Sequence, residues 1–382
     1  MVIYFLIVFL LYGVLVIGLI VGWQISMEAD SVKPDKVKFH KISVIVPFRD
    51  EQDNLPTLID CFKVQYYPTE HIEFIFVNDH SSDQSDILID EYARLNPVAK
   101  LLQLSSTYGK KQAITLGVEN ALGEIIVTTD ADCSMSSTWL EKINEAFQKP
   151  DRNMIVGAVR IDPAQSFFSK LQAMEFASLI GSGVATLTYG FPTMCNGANL
   201  AFRKSAFVVV SGYEGNLEIP SGDDEFLMRK IHHKFPKSIH FLRGSDSVVS
   251  TKPQSTLQSF LHQRVRWAGK WRHNQSISTK LLAAFVFMFH VSVILFAALF
   301  LAGWVPLRTF FLLMGCKLVL EFLFLNQVCQ FLKIKWRWTS FLTLQFVYPV
   351  YVFWIALLAQ RKSFVWKGRN VKHNQRMANQ ET

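Results

Sequence analysis

Residues 42–83, ISVIVPFRDEQDNLPTLIDCFKVQYYPTEHIEFIFVNDHSSD, decide the fold. The run 42–46 is apolar and β-branched and is ended by Pro47. Residues 54–64 carry helical spacing, and 72–77 repeat the apolar run. A strand apolar throughout needs cover on both faces, and intervening helices supply it. The alternation continues outward, with helices over 84–95 and 110–122 and strands over 101–104 and 124–129. It predicts an α/β domain around a mostly parallel sheet, with residues 154–160 as one further strand. Ligands of such sheets bind at the carboxyl ends of the strands, which is where chemistry is expected.

Beyond this core the chain is apolar at both ends. Residues 1–24 carry no charge and are long enough to cross a hydrocarbon core of ~30 Å. A cleaved signal peptide is the alternative, but no basic region precedes the run and no small-x-small site follows it. The expected organisation is a membrane helix over 1–24, a linker over 25–41, a catalytic domain over 42–252 and an amphipathic interfacial region over 253–280. About three membrane segments over 281–359 and a basic tail over 360–382 complete it. The third apolar segment, 307–332, contains Lys317 and Glu321, four apart on one helix face. Such a pair either turns toward protein or keeps the segment at the interface.

Net charge is +8, with basic residues beside the apolar segments at Lys33, Lys36, Lys38 and Lys41 and again from Arg264 onward. That distribution fits membrane topology, and the absence of a basic stripe argues against nucleic-acid binding. The five cysteines form no C-x-x-C pair, so reduced thiols are expected.

Three acidic sites fall at or near predicted strand ends: Asp79 after 72–77, Asp130-Ala131-Asp132 after 124–129, and Asp223-Asp224-Glu225. Turns and helix caps also favour Asp, and for Asp79 alone that reading suffices. Asp130 and Asp132 converge on a small volume, where two carboxylates repel unless a cation such as Mg²⁺ or Mn²⁺ joins them. Neither G-x-G-x-x-G after the first strand nor G-x-x-x-x-G-K-[ST] occurs, which weakens a dinucleotide oxidoreductase and a P-loop ATPase. Gln263-Arg264-Val265-Arg266-Trp267 lies in an amphipathic segment before an apolar one, where Arg and Trp are also common as interfacial anchors.

In order and spacing these features resemble the membrane-integrated family 2 glycosyltransferases of GT-A fold, a branch that includes cellulose and hyaluronan synthases and lipid glycosyltransferases. The resemblance runs from about Ile42 to Trp271. It rests on Val44-Ile45-Val46-Pro47 with Glu51, on Asp79, Gly109-Lys110, Asp130-x-Asp132, Asn196-Gly197-Ala198-Asn199 and Asp223-Asp224, and on Gln263, Arg266 and Trp267. It implies a Rossmann-like GT-A catalytic domain between N- and C-terminal membrane helices. It implies that Pro47, Glu51, Asp79 and Lys110 meet the nucleotide and that Asp130 meets donor sugar or ribose. Asp132 would hold a divalent cation, Mg²⁺ or Mn²⁺, and Asp224 would be the catalytic base. Gln263 and Arg266 would cap the diphosphate, while Asp223 and Trp267 would shape the acceptor site. Val365-Trp366-Lys367-Gly368-Arg369 resembles a tail of lipid-modifying members, and a snorkelling basic anchor fits it equally.

The implied activity is inverting transfer of a hexosyl or N-acetylhexosaminyl group from a nucleotide sugar, with UDP as the expected nucleotide, to a membrane lipid. A multi-pass protein of a bacterial inner membrane, with its catalytic domain cytoplasmic, is expected. A processive or short-chain polysaccharide synthase is the alternative. Gly222-Asp223-Asp224 stands where processive members carry Thr-Glu-Asp, and C-terminal spans are few. An inactive membrane scaffold is the reading from a different class, and loss of an acidic motif or of Arg266 would favour it; none is lost.

Overall fold

The computed structural model describes residues 1–28, 37–162, 166–219, 221–269 and 276–358, and the backbone of 363–366 and 369–372. The chain divides into two units: Ser26–Asp162 with Thr186–Lys252, and Met1–Ile25 with Pro163–Ala185 and Pro253–Thr382.

In chain order the elements are α1 (Val2–Met27), β1 (Ile42–Phe48), α2 (Leu55–Lys63), β2 (Ile72–Asn78), α3 (Ser85–Leu95), β3 (Ala99–Gln103), α4 (Lys110–Asn120), β4 (Ile125–Thr128), β5 (Cys133–Ser134), α5 (Trp139–Ala146), β6 (Met154–Val156), β7 (Val159–Ile161), α6 (Phe167–Thr188), β8 (Leu200–Arg203), α7 (Lys204–Val209), α8 (Asp223–Lys234), β9 (Ile239–Phe241), β10 (Val249–Thr251), α9 (Leu257–Gly269), α10 (Ile277–Leu301), α11 (Leu307–Phe331), α12 (Trp338–Leu358), β11 (Ser363–Trp366) and β12 (Arg369–Lys372).

The main sheet of the α/β unit runs β3-β2-β1-β4-β8-β6-β9. β1 pairs in parallel with β2 and β4, and β8 runs antiparallel between β4 and β6. The mostly parallel α/β sheet read from the sequence is therefore present. β2 is buried along its whole length, as a strand covered on both faces must be. β1 runs through Pro47 to Phe48, past the expected stop. The Ile45 carbonyl accepts from Thr129 N–H on the β4 side and that of Phe48 from Asp79 N–H on the β2 side. Pro47 therefore faces the side where β4 has already ended, and its missing N–H breaks no ladder bond.

The expected strand 154–160 is two strands in two sheets. β6 joins the main sheet, while β7 joins a small one ordered β5-β10-β7. The break falls at Gly157-Ala158, where the Asn199 side chain passes so close that a Cβ on Gly157 would sit 2.2 Å from its Cγ. Asn199 cannot yield easily, since it accepts from Trp139 Nε1 at 3.0 Å and donates to the Ala158 and Ser247 carbonyls at 2.8 and 2.9 Å. The small sheet matters because β5 directly follows Asp132 and pairs with β10.

In the helical unit, α1, α10, α11 and α12 are long and apolar enough to cross a membrane. Phe5, Phe9, Phe289 and Phe296 pack together, and Tyr12 stacks on Phe289 at 3.6 Å. The charged pair in α11 faces protein. Lys317 Nζ lies 2.8 Å from Glu321 and 2.5 Å from Gln345 Oε1 of α12, and Tyr12 of α1 donates to Glu321 at 2.6 Å. Of the two expectations for this segment, the inward-turned pair is the one present. Within the expected basic tail, β11 and β12 form an antiparallel hairpin, and Lys367 and Gly368 lie outside the described residues.

Candidate active site

Two loops at the carboxyl ends of β1 and β2 clasp each other. Asp50 accepts from Ser82 N–H and hydroxyl at 2.7 and 3.0 Å, and Asp83 accepts from Gln52 N–H at 3.1 Å. Glu51 N–H donates to Ser85 Oγ at 2.8 Å, and Glu51 Oε2 accepts from Asn54 at 2.6 Å. Burial favours the neutral Asp83 carboxyl, but hydrogen bonds from Ser85 and Gln52 outweigh it and hold the carboxyl below its usual range. Asp50 and Asp83 thus shape the loops.

Asp79, buried directly after β2, accepts the Gly109 N–H at 3.0 Å and lies 3.2 Å from His80 Nδ1. Gly109 has φ of 102°, a conformation that costs other residues and lets the chain turn straight into α4. The His80 ring stacks on Tyr108 at 4.2 Å, an aromatic pair the sequence reading passed over.

Lys110 opens α4 and gathers the acids. Its Nζ lies 2.6 Å from Asp130, which follows β4, and 3.3 Å from Asp223, which opens α8. Burial works against the Lys110 charge, yet Asp130, Asp223 and Asp224 overcome it and keep the ammonium protonated. Asp223 is 9% exposed. Burial would raise its carboxyl, but Lys110 and Lys111 hold it below the usual carboxylate range.

Asp224 is half-buried, and its Oδ2 accepts the Gly197 N–H at 3.2 Å while Oδ1 accepts the Glu225 N–H at 2.7 Å. Gly222, with φ of 80°, allows the sharp entry into α8, and the positive helix end favours the acids of its first turn. Glu225 pairs with Arg229 at 2.6 Å. The Asn196–Asn199 turn packs beneath: Thr128 donates to the Gly197 carbonyl at 2.7 Å. A Cβ on Gly197 would meet Asp223 Oδ2 at 2.8 Å and Lys110 Nζ at 3.2 Å. The close approach of this turn thus requires glycine.

Asp132 accepts from the Thr251 hydroxyl of β10 at 3.0 Å. Its carboxyl is raised, first by burial and then by the charges of Asp130 and Glu51. Burial is the larger cause, and the two neighbouring carboxylates add to it. Among the described residues, no three His, Cys, Asp or Glu side chains are arranged to enclose a metal ion. An ion here would take the rest of its shell from a ligand, the habit of Mg²⁺ with phosphates.

Asp79, Lys110, Asp130, Asp132, Asp223 and Asp224 thus share the α/β unit, with Pro47 and Glu51 on β1 and the loop after it. Gln263, Arg266 and Trp267 lie on α9 of the helical unit. There Arg264, which the Q-x-x-R-W pattern skips, is buried. It donates to Glu175 of α6 at 2.5 and 3.3 Å and to Gln263 Oε1 at 2.6 Å. Its guanidinium lies 4.3 Å from the Trp267 ring and 4.5 Å from that of Phe260. Removing one charge of a buried pair strands the other, at about 3–5 kcal/mol. Glu175→Gln should therefore lower unfolding stability by roughly 3 kcal/mol, and Glu175→Leu with Arg264→Met should recover much of it. Denaturant unfolding in detergent measures both, and a loss below about 1 kcal/mol for the single variant would show the pair is not the buried anchor described.

Comparisons with known proteins agree with this architecture. The family model described as glycosyl transferase family 2 matches residues 43–209. The undecaprenyl-phosphate 4-deoxy-4-formamido-L-arabinose transferase of Pectobacterium atrosepticum is 31% identical over 39% of this chain and 46% of its own length. The poly-β-1,6-N-acetyl-D-glucosamine synthase of Staphylococcus epidermidis is 26% identical over 68% of this chain and 62% of its own. The chain thus spans less than two thirds of either relative. A mannosyltransferase from Pyrobaculum calidifontis, solved with GDP-Man and Mn²⁺, superposes with a TM-score of 0.56 at 17% identity, covering 93% of this chain and 95% of that one. It shares the GT-A fold.

Proposed function

We propose, from the premise that residues 43–209 form a glycosyl transferase family 2 domain, that this chain transfers a sugar from a nucleotide-sugar donor to a membrane lipid acceptor. The observation that carries the reading is the gathering of Asp130, Asp223 and Asp224 around Lys110, with Asp132 beside Asp130, at the carboxyl ends of the sheet. Pro47, Glu51 and Asp79 lie on the nucleotide side of that cluster in this reading, and Asp130 meets the donor sugar or ribose.

A divalent cation, Mg²⁺ or Mn²⁺, held by Asp132 and the donor phosphates would neutralise charge on the leaving diphosphate. The carboxylates of Asp130 and Glu51 beside Asp132 fit such an ion. Lys110 is the α/β unit's own cation for the same charge, and the Q-x-x-R-W pattern assigns Gln263 and Arg266 to the diphosphate. Asp224 takes the proton of the acceptor hydroxyl as the new bond to the anomeric carbon forms. The bond from that carbon to the phosphate oxygen breaks, and the nucleoside diphosphate leaves with the electron pair. A base on the face opposite the leaving group gives a single displacement with inversion. Asp223, tied to Lys110, orders the acceptor side, and the Q-x-x-R-W pattern assigns Trp267 to the acceptor as well.

The lipid acceptor is supported by four helices fit to cross a membrane and by the lipid phosphate in the name of the Pectobacterium relative. UDP is the proposed nucleotide, and the catalytic domain is placed on the cytoplasmic side, where nucleotide sugars are made. Polymer synthesis is the second reading, favoured by the staphylococcal relative. Purified full-length protein, incubated with radiolabelled nucleotide sugars, Mn²⁺ and total bacterial lipid, should yield label in an extractable lipid. Label held only in a polymer would favour the second reading, and no transfer from any donor would overturn both.

A further inference from the structure

The connection from α7 to α8 delivers Asp223 and Asp224, and its backbone is unusual. Ser211, Gly212, Gly215 and Gly222 all have positive φ. Such a backbone makes no strand ladder; the Ser211 and Asn216 carbonyls take the Glu214 and Ile219 N–H groups, and the connection draws further donors from elsewhere. Two lysines supply them. Lys111 is 4% exposed, and its Nζ donates to the carbonyls of Asn216 at 2.6 Å and Ile219 at 2.9 Å. The same ammonium lies 4.6 Å from the ring of Phe226, in the first turns of α8. Lys230, from the body of α8, donates to the carbonyls of Val210, Ser211, Gly212 and Glu214 at 2.8–3.3 Å.

We infer that Lys111 is a positioning residue for the acid pair. From the first turn of α4 it staples the connection at Asn216 and Ile219 and packs on Phe226, fixing where Asp223 and Asp224 stand. The division of labour between neighbours is physical. Lys110 touches the carboxylates themselves, while Lys111 holds the chain that carries them. An ammonium suits this task, with three rotatable donors on a flexible stem. Because Gly109, the residue before α4, donates its N–H to Asp79, the first turn of α4 that carries Lys111 is anchored to the end of β2. The effect on transfer rests on the proposed glycosyltransferase reading; the staple does not.

The test uses the full chain in detergent and Lys111→Met, which keeps the stem and removes the donors. Hydrogen exchange, read without any sugar, should speed up by about tenfold or more at Asn216 and Ile219, with β1 and β4 unchanged. Affinity for a nucleoside diphosphate with Mn²⁺ should stay the same while kcat for transfer falls by about tenfold, the scale of a small misplacement of reacting groups. A residue that merely supports the fold would lower both together. If β1 and β4 loosen as well, Lys230→Met probes the same connection from its other end and should give the same split. Unchanged exchange at Asn216 and Ile219 overturns the staple, whatever reaction the protein performs. Faster exchange with unchanged kcat overturns the positioning role.

Discussion

Asp224→Asn should leave nucleotide affinity intact and cut transfer by roughly a hundredfold or more, the usual scale for removing a general base. The geometry gives the reason. Asp224 is half-buried at the head of α8, its Oδ2 accepting the Gly197 N–H and its Oδ1 the Glu225 N–H, and the single amide oxygen of Asn keeps one of those two bonds. The substitution therefore removes basicity and gives up one backbone hydrogen bond, a loss of about 1 kcal/mol. Asp223 differs, because its carboxyl is tied to Lys110 and held below the usual range after burial is overcome by Lys110 and Lys111. A carboxylate so stabilised is a poor proton acceptor, and Lys110 keeps Asp130 at 2.6 Å without it, so Asp223→Asn should leave donor affinity intact and raise KM for the acceptor. If Asp223→Asn proves to be the variant that loses kcat alone, the base is Asp223. The size of the Asp224 effect also reports on the acceptor. A hydroxyl must lose its proton as it attacks, whereas a phosphate monoester, with a second pKa of about 6, is already ionised at neutral pH. A hundredfold loss argues for a hydroxyl, and a loss of only a few-fold would argue for a phosphate attacking unaided.

The first half of the sheet was legible because fully covered parallel strands are written as unbroken apolar runs; β1, β2 and β4 fall within about two residues of the expected runs. The second half was not. β6, β7, β9 and β10 have three residues each, too few to show a period, and β8 reverses direction in mid-sheet. Apolar pattern alone joined β6 to β7, and what parts them is the hydrogen-bonded side chain of Asn199, a contact over 42 residues that no local signal carries. The acids after β2 and β4 could be located by the strand-end rule. Lys111 and Arg264 could not, since Lys and Arg read as surface residues until their partners, the carbonyls of Asn216 and Ile219 and the Glu175 carboxylate, are in place. The orientation of the Lys317–Glu321 pair was likewise open in the sequence, because it depends on Gln345 and Tyr12, far away in the chain.

Asp132→Ala should abolish cation-dependent binding of a nucleoside diphosphate while the protein still folds. Calorimetry with and without Mn²⁺ measures it, and unchanged affinity would remove Asp132 from the cation site. The same residue carries a second, opposite expectation for stability. Its folded carboxyl is raised, by burial first and then by Asp130 and Glu51. A carboxyl whose pKa is higher folded than unfolded binds its proton more tightly in the native state. Its ionisation therefore weakens the fold as pH climbs through the unfolded value of about 3.9 toward the folded one, and the deficit persists at neutral pH. Asp132→Asn keeps the shape and an acceptor for the Thr251 hydroxyl but removes that charge. With no ion or nucleotide added, its Tm at pH 7 should exceed that of the parent chain, and the difference should vanish as pH falls below the unfolded value. Adding Mn²⁺ and a nucleoside diphosphate should raise the Tm of the parent and leave the variant unmoved, because only the parent couples binding to folding. A variant that melts lower than its parent without ion would mean that Asp132 is held by its protein contacts, and that the negative charge gathered there is not waiting for a cation.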